Sequence, residues 1–329
     1  MPVSGELLTQ VSIGAVALYT LVSAATRAID RLLALAEYYG VDEVLLGMTV
    51  LAVGTSLPEI SAHLIASLGI LSGVLDYRIA SAVVIGGNTG SSTVQQFLLV
   101  GILLIAVGSV TFTRQLVRDS YLPMLGALFL TFVLAWDGTI GRLDGLLLVG
   151  AYLLYVGVRL ARRSAGPPLM ERPSRNPRRD VAVALGMFVL VLLSASLLLA
   201  VVESVVEQLD LGGSTIGVVT LGVAAALPEL TTVLDAVRRR SPNVALGTLV
   251  GSNVVNPLVG IGLGGAVSTY YVPPVVVLWD LPFKLLFGLG VLGWALYWRG
   301  GDLSRTEGGS LLGLYFLFVA GRLLLFPGQ

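Results

Sequence analysis

LLGMTVLAVGTSLPEI, residues 45–60, and TIGVVTLGVAAALPEL, residues 215–230, are one pattern written twice. An offset of 170 residues lays Pro58-Glu59 on Pro228-Glu229, so that each copy is an apolar run interrupted by one carboxylate. Farther out, Gly90-Ser91 aligns with Gly251-Ser252. Gly145, Gly150 and Tyr152 align with Gly308, Gly313 and Tyr315 at a constant offset of 163. The similarity therefore runs through the whole chain, and self-similarity of this kind marks a repeat architecture.

Composition says where the repeats sit. The 329 residues are 55% hydrophobic and 12% charged, with a mean hydropathy of +0.89. Soluble domains carry about 25% charged residues, so much of this surface is expected to face lipid. Net charge is zero, which gives no field for nucleic acid. With no cysteine and one histidine, thiol chemistry and multi-His or Cys-ligated metal sites are excluded. No basic stretch precedes the first apolar run, so no cleavable leader is expected.

A bilayer core needs about 20 apolar residues per helix. Ten segments qualify, near 8–37, 42–70, 79–108, 119–136, 143–162, 181–208, 213–236, 243–269, 277–298 and 308–326. The expected fold is all-α, with ten transmembrane helices in two five-helix repeats, 1–162 and 181–329, joined by the linker RSAGPPLMERPSRNPRRD at 163–180. An odd number of helices per half inverts the second half relative to the first, and inverted repeats place a transporter's site at their interface. Alternating the sides from the N-terminus puts fourteen arginines on one side, including Arg114, Arg159, Arg178, Arg238 and Arg299, and three, Arg78, Arg142 and Arg322, on the other. Positive charge stays inside. Both termini are expected outside, the 163–180 loop in the cytoplasm, and the protein in the plasma membrane.

Glu59 and Glu229 are the expected site. A charge at the bilayer centre costs about 2.5–3.5 kcal/mol even on insertion scales, so two at matched positions point to function. The prolines before them remove backbone donors and free carbonyls. Carboxylates, carbonyls and water are the ligands of a hard divalent cation such as Ca2+. GGNTGSSTVQQ (86–96) and GTLVGSNVVN (247–256) add small residues for close packing and neutral oxygens beside the carboxylates. His63, one helical turn after Glu59, is a candidate proton relay or a packing imidazole. Arg27, Asp30 and Arg31, and Asp280 with Lys284, are spaced for local pairing.

These motifs resemble the cation/Ca2+ exchangers, a family that includes Na+/Ca2+ and H+/Ca2+ antiporters. Gly54-Thr55-Ser56-Leu57-Pro58-Glu59 carries the resemblance in the first half; Leu227-Pro228-Glu229 and Gly251-Ser252-Asn253-Val254-Val255-Asn256 carry it in the second. The resemblance implies a secondary antiporter rather than an enzyme, with no cofactor and with Ca2+ as transported substrate. It implies Glu59, Glu229 and Thr55 as cation ligands, and a transport pathway drawing on Ser56, His63, Asn88, Ser91, Gln95, Ser252, Asn253 and Asn256. The chain departs from the family pattern at Ala225 and Ala226, which replace the hydroxyls seen at Thr55 and Ser56, and at Asn256, where some sodium-coupled relatives carry Asp. The expected counter-ion is accordingly H+, about two per Ca2+ on the charge arithmetic of two buried carboxylates; Na+ is the alternative. A channel would not need two opposed halves around one acid pair. An intramembrane protease would be expected to use aspartates, and no phosphate-binding loop offers a seat for ATP.

Overall fold

The computed structural model describes residues 5–39, 52–161, 176–209, 212–238 and 242–326. The first half runs α1 (Gly5–Tyr38), α2 (Ala52–Thr55), α3 (Leu57–Ser72), α4 (Tyr77–Val107), β1 (Ser109–Thr111), α5 (Arg114–Leu134), β2 (Thr139–Ile140) and α6 (Arg142–Ala161). The second runs α7 (Pro177–Leu209), α8 (213–225), α9 (Leu227–Arg238), α10 (242–267), β3 (Tyr270–Tyr271), α11 (Val276–Trp298), β4 (Asp302–Ser304) and α12 (Arg305–Leu325). Among the described residues nine helices are long and apolar enough to cross a bilayer, and Leu57–Ser72 is a shorter apolar helix. The protein is an all-α, multi-spanning membrane protein.

Its polarity is reversed from that of a soluble domain. Leu143, Leu147 and Leu154 on α6 and Leu185, Val189 and Leu193 on α7 are exposed, while Glu59, Glu229, His63, Asn88, Gln95 and Asn256 are buried. Lipid solvates the first set and cannot solvate the second.

Helices α1 and α7 pack on each other antiparallel, because Gln10 meets Ser204 at 2.9 Å near one end and Arg31 meets Asp180 at 3.2 Å near the other. Arg31 thus pairs across the halves. The third helix of each half packs on the last helix of the other: α4 on α12, and α10 on α6. Glycine permits this at matched positions. A Cβ on Gly101 would lie 2.9 Å from the Gly308 carbonyl oxygen, and one on Gly145 would lie 2.6 Å from that of Gly262. The short strands also pair across the halves, β1 with β4 and β2 with β3, both antiparallel.

Observed boundaries follow the expected segments within a few residues, with two differences of substance. The segment expected at 42–70 enters the described residues at Ala52 and is broken at Ser56; that at 213–236 is broken at Ala226. The cause is Pro58 and Pro228, which sit second in α3 and α9. Neither can donate to the carbonyl four residues back, so the helix stops and restarts. The restart is regular, with the Ile60 N–H on the Ser56 carbonyl and the Leu230 N–H on the Ala226 carbonyl, both at 3.0 Å. The linker expected at 163–180 lies outside the described residues as far as 175. Its last residues are helical, because Asn176 accepts from the Arg179 N–H at 3.2 Å and Pro177 opens α7.

Candidate cation site

The broken helices place the two acids. Glu59 and Glu229 each occupy the third position of a restarted helix, behind a proline and deep in the molecule, at 4% and 0% exposure. A helix N-terminus inside the membrane brings its positive end and free N–H groups to bear on such a carboxylate.

The third helix of each half faces them. Both carry a π-helical turn at the same repeat position: Val94–Leu99 in α4 and Asn256–Ile261 in α10. One extra residue per turn re-aims the side chains next to it, and such turns gather at functional sites. Gln95 and Asn256, equivalent at the offset of 161 that relates Gly90 to Gly251, lie in these turns, and both are fully buried.

From these elements a hydrogen-bonded network forms around Glu59. The Ser91 hydroxyl donates to Glu59 Oε1 at 2.6 Å, and Asn256 Nδ2 reaches the same oxygen at 3.4 Å. Gln95 Nε2 donates to Ser91 Oγ at 3.1 Å, and Asn253 Nδ2 donates to Gln95 Oε1 at 2.9 Å. Asn88 Nδ2 donates to the Asn256 carbonyl at 2.8 Å and to His63 Nε2 at 3.1 Å. Around Glu229, Thr55 Oγ1 and Ser252 Oγ bond to each other at 2.9 Å and lie beside its carboxylate. Glu59 is near enough to repel Glu229 when both are ionised. The structure therefore gathers Glu59, Glu229, Thr55, His63, Asn88, Ser91, Gln95, Ser252, Asn253 and Asn256 into one buried region. Ser56, at the first break, is buried too, but its hydroxyl makes no hydrogen bond.

The remaining acceptors bear on the chemistry. Glu59 Oε2, both oxygens of Glu229, Asn256 Oδ1 and Ser56 Oγ are buried without a hydrogen-bond partner. Buried polar atoms are normally satisfied. A set of orphaned oxygens, three of them carboxylate, suits a cation. Among the described residues no group of three or more His, Cys, Asp or Glu side chains could hold a metal ion; the donors gathered there are two acids and neutral oxygens.

His63 does not contact Glu59 in this arrangement. Its Nε2 is held by Asn88, and its backbone carbonyl accepts from the Tyr270 hydroxyl at 2.7 Å, which also bonds Ser67 Oγ at 2.7 Å. Sequence reasoning did not find Tyr270 or Ser67. Ser67 had a signal, standing four residues after His63 on the same helical face; Tyr270 had none. Asp280 keeps Lys284 beside it, as the spacing suggests, but its ion pair is made elsewhere. Asp280 bonds Arg322 on α12, and Arg322, counted among the loop arginines, is fully buried.

Comparison with known proteins agrees with this architecture. The sodium/calcium exchanger MaX1 of Methanosarcina acetivorans is 25% identical over 327 residues, 87% of this chain and 90% of its own. The crystal structure of the H+/Ca2+ exchanger CAX superposes with a TM-score of 0.76 over 96% of this chain and 86% of that one, at 13% identity. The sodium-calcium exchanger NCX_Mj gives a TM-score of 0.64 over 95% and 99%, at 22% identity. At such identities the two structures speak for the fold alone. The sequence pattern of one family, described as sodium/calcium exchanger protein, matches residues 10–161 and 180–324, and this chain belongs to that family.

Proposed function

We propose that this antiporter exchanges Ca2+ for Na+ by alternating access to a site built on Glu59 and Glu229. The observation that carries the reading is the buried pair of symmetry-matched carboxylates with orphaned oxygens. One Ca2+ would neutralise both acids, and the Asn256 and Ser56 oxygens would complete its shell. The ten-span, inverted five-helix arrangement of 1–162 and 181–329 fits the antiparallel α1 and α7, the reciprocal packing of third on last helices, and the matched breaks. A plasma-membrane location, outward termini and a cytoplasmic 163–180 loop follow from the arginine bias.

Sodium replaces the proton expected from the sequence. The family description and the name of the MaX1 relative favour it. The missing hydroxyls at Ala225 and Ala226 also weigh less than a count by halves suggests. Thr55 meets Ser252 across the repeat interface, so one half can supply hydroxyls beside the other half's acid. The proton reading keeps one specific support, because Ala225, Ala226 and Asn256 leave fewer charged or hydroxyl oxygens for a sodium cage. Ca2+ uptake into proteoliposomes, under an outward Na+ gradient at fixed pH and under a pH gradient without Na+, separates the two. Strong stimulation by Na+ alone is expected. Uptake driven by the pH gradient in sodium-free medium would return the assignment to H+.

A further inference from the structure

Outside the cation site, a buried charge cluster among the described residues joins four helices. Asp280 on α11 and Arg322 on α12 are both 0% exposed and form an ion pair. Arg322 Nη2 donates to Ser214 Oγ on α8 at 2.5 Å. Thr89 Oγ1 on α4 lies 3.4 Å from Asp280 Oδ2, its one proton shared between that carboxylate and the Ile85 and Gly86 carbonyls, each at 3.1 Å. Lys284, one turn beyond Asp280, adds a second buried cation beside it. Thr89 stands between Asn88 and Ser91, which bond to His63 and the Asn256 carbonyl, and to Glu59. The cluster thus grips the site's own helix from behind.

The first half carries the same device. Asp119 and Asp280 are related by 161 residues, and Arg159 and Arg322 by 163, the two offsets that relate the halves elsewhere. Arg159 Nη1 lies 2.6 Å from Asp119 Oδ2, and Arg118 Nε 2.9 Å from Asp119 Oδ1. Both acids sit in π-helical turns, Val117–Tyr121 and Val276–Asp280, which overlap when the halves are aligned. The first turn packs against Pro242–Val255, the second against Tyr77–Thr93. Each bridge therefore joins the last two long helices of one half and presses them on the third helix of the other, the helix that lines the site. Their environments differ: the side chains of Arg322 and Asp280 are 1% and 0% exposed, those of Arg159 and Asp119 17% and 6%.

We infer that the Asp280–Arg322 bridge positions the cation site, holding α4 through Thr89 and α8 through Ser214 in the register that presents Asn88 and Ser91. Asp119–Arg159 is its counterpart on α10. These are positioning residues, since none of the four touches the site oxygens. A charge pair buried in hydrocarbon surroundings resists separation, because either partner alone would be an uncompensated charge. It therefore fixes one geometry more firmly than apolar packing would.

The inference rests on Ca2+ being the substrate of the Glu59–Glu229 site, and the test keeps the two claims apart. Ca2+ uptake is measured in proteoliposomes over a range of Ca2+ concentrations for wild type, D280N, R322Q, D280E and the double variant T89V/S214A. The double variant leaves the ion pair intact and so guards against simple misfolding. Loss of register should raise the KM for Ca2+ about three- to thirtyfold while Vmax per folded protein stays within about twofold. T89V/S214A should show the same split in weaker form, and D280E should recover most of the wild-type KM. A wild-type KM in both T89V/S214A and folded D280N overturns the inference while leaving the transport reading standing. A wild type that takes up no Ca2+ overturns the transport reading and the inference with it.

Discussion

Glu59 and Glu229 dominate at the residue scale because, among the described residues, no fixed cation pairs with them. The Ser91 hydroxyl and Asn256 amide on Glu59, and the Thr55 and Ser252 hydroxyls beside Glu229, can orient a carboxylate but cannot neutralise it. Two uncompensated carboxylates in a low-dielectric interior repel each other, and on the proposed reading the transported Ca2+ supplies the missing charge. His63 acts at one remove. Its Nε2 accepts the Asn88 amide that also holds the Asn256 carbonyl. H63A removes that acceptor and leaves the Asn88 amide to the Asn256 carbonyl alone, so the KM for Ca2+ should rise about three- to tenfold; an unchanged KM would make His63 a packing residue. The acids were legible in the sequence because an intramembrane charge is too costly to be incidental. The Asp280–Arg322 bridge was not, because its partners are 42 residues apart, while Lys284 offers a nearer match by helical spacing. Arg31 misled in the same way, with a local partner on paper and Asp180 as its partner in space.

At the scale of the element, helix existence was legible from apolar length, and helix continuity was not. Apolar content does not reveal a helix that stops at Ser56 and restarts at Leu57, nor a π-helical turn that adds one residue at Asn256. The prolines were the only printed hint of the breaks. Close approach of elements sets a second constraint. A Cβ on Gly90 would sit 2.6 Å from the Val218 carbonyl oxygen, where α4 crosses α8. Backbone cannot yield as a flexible side chain can, so Gly90→Val should destabilise the protein by about 1–3 kcal/mol. The readout is a lower thermal midpoint in detergent; an unchanged midpoint would mean the crossing is loose. Where α8 ends, Ala225 and Ala226 are buried and small. Restoring hydroxyls with A225T/A226S should strengthen Na+ stimulation of Ca2+ uptake, and no change would place the sodium ligands elsewhere.

For the whole molecule, the proposed duplication organises the account. The first helices of the two halves run antiparallel, and each half's third helix packs on the other half's last. Such an exchange of roles allows one set of contacts to open on either side of a fixed site. The orientation read from arginine predicts that a cysteine at Ser174, on this cysteine-free background, is labelled only from the cytoplasmic side. Position 174 lies outside the described residues, so labelling supplies what geometry does not; labelling from outside intact cells would invert the topology. Everything else depends on the acid pair carrying the ion. The most direct measurement is Ca2+ uptake into proteoliposomes by wild type, E59Q and E229Q side by side, under whichever gradient drives the wild type, with each variant checked for a monodisperse fold. Glutamine keeps the shape and removes the charge, and loss of one partner from a buried charge assembly costs about 3–5 kcal/mol, so each variant should lose at least about a hundredfold in uptake. Uptake at the wild-type level in either variant would place the Ca2+ site elsewhere.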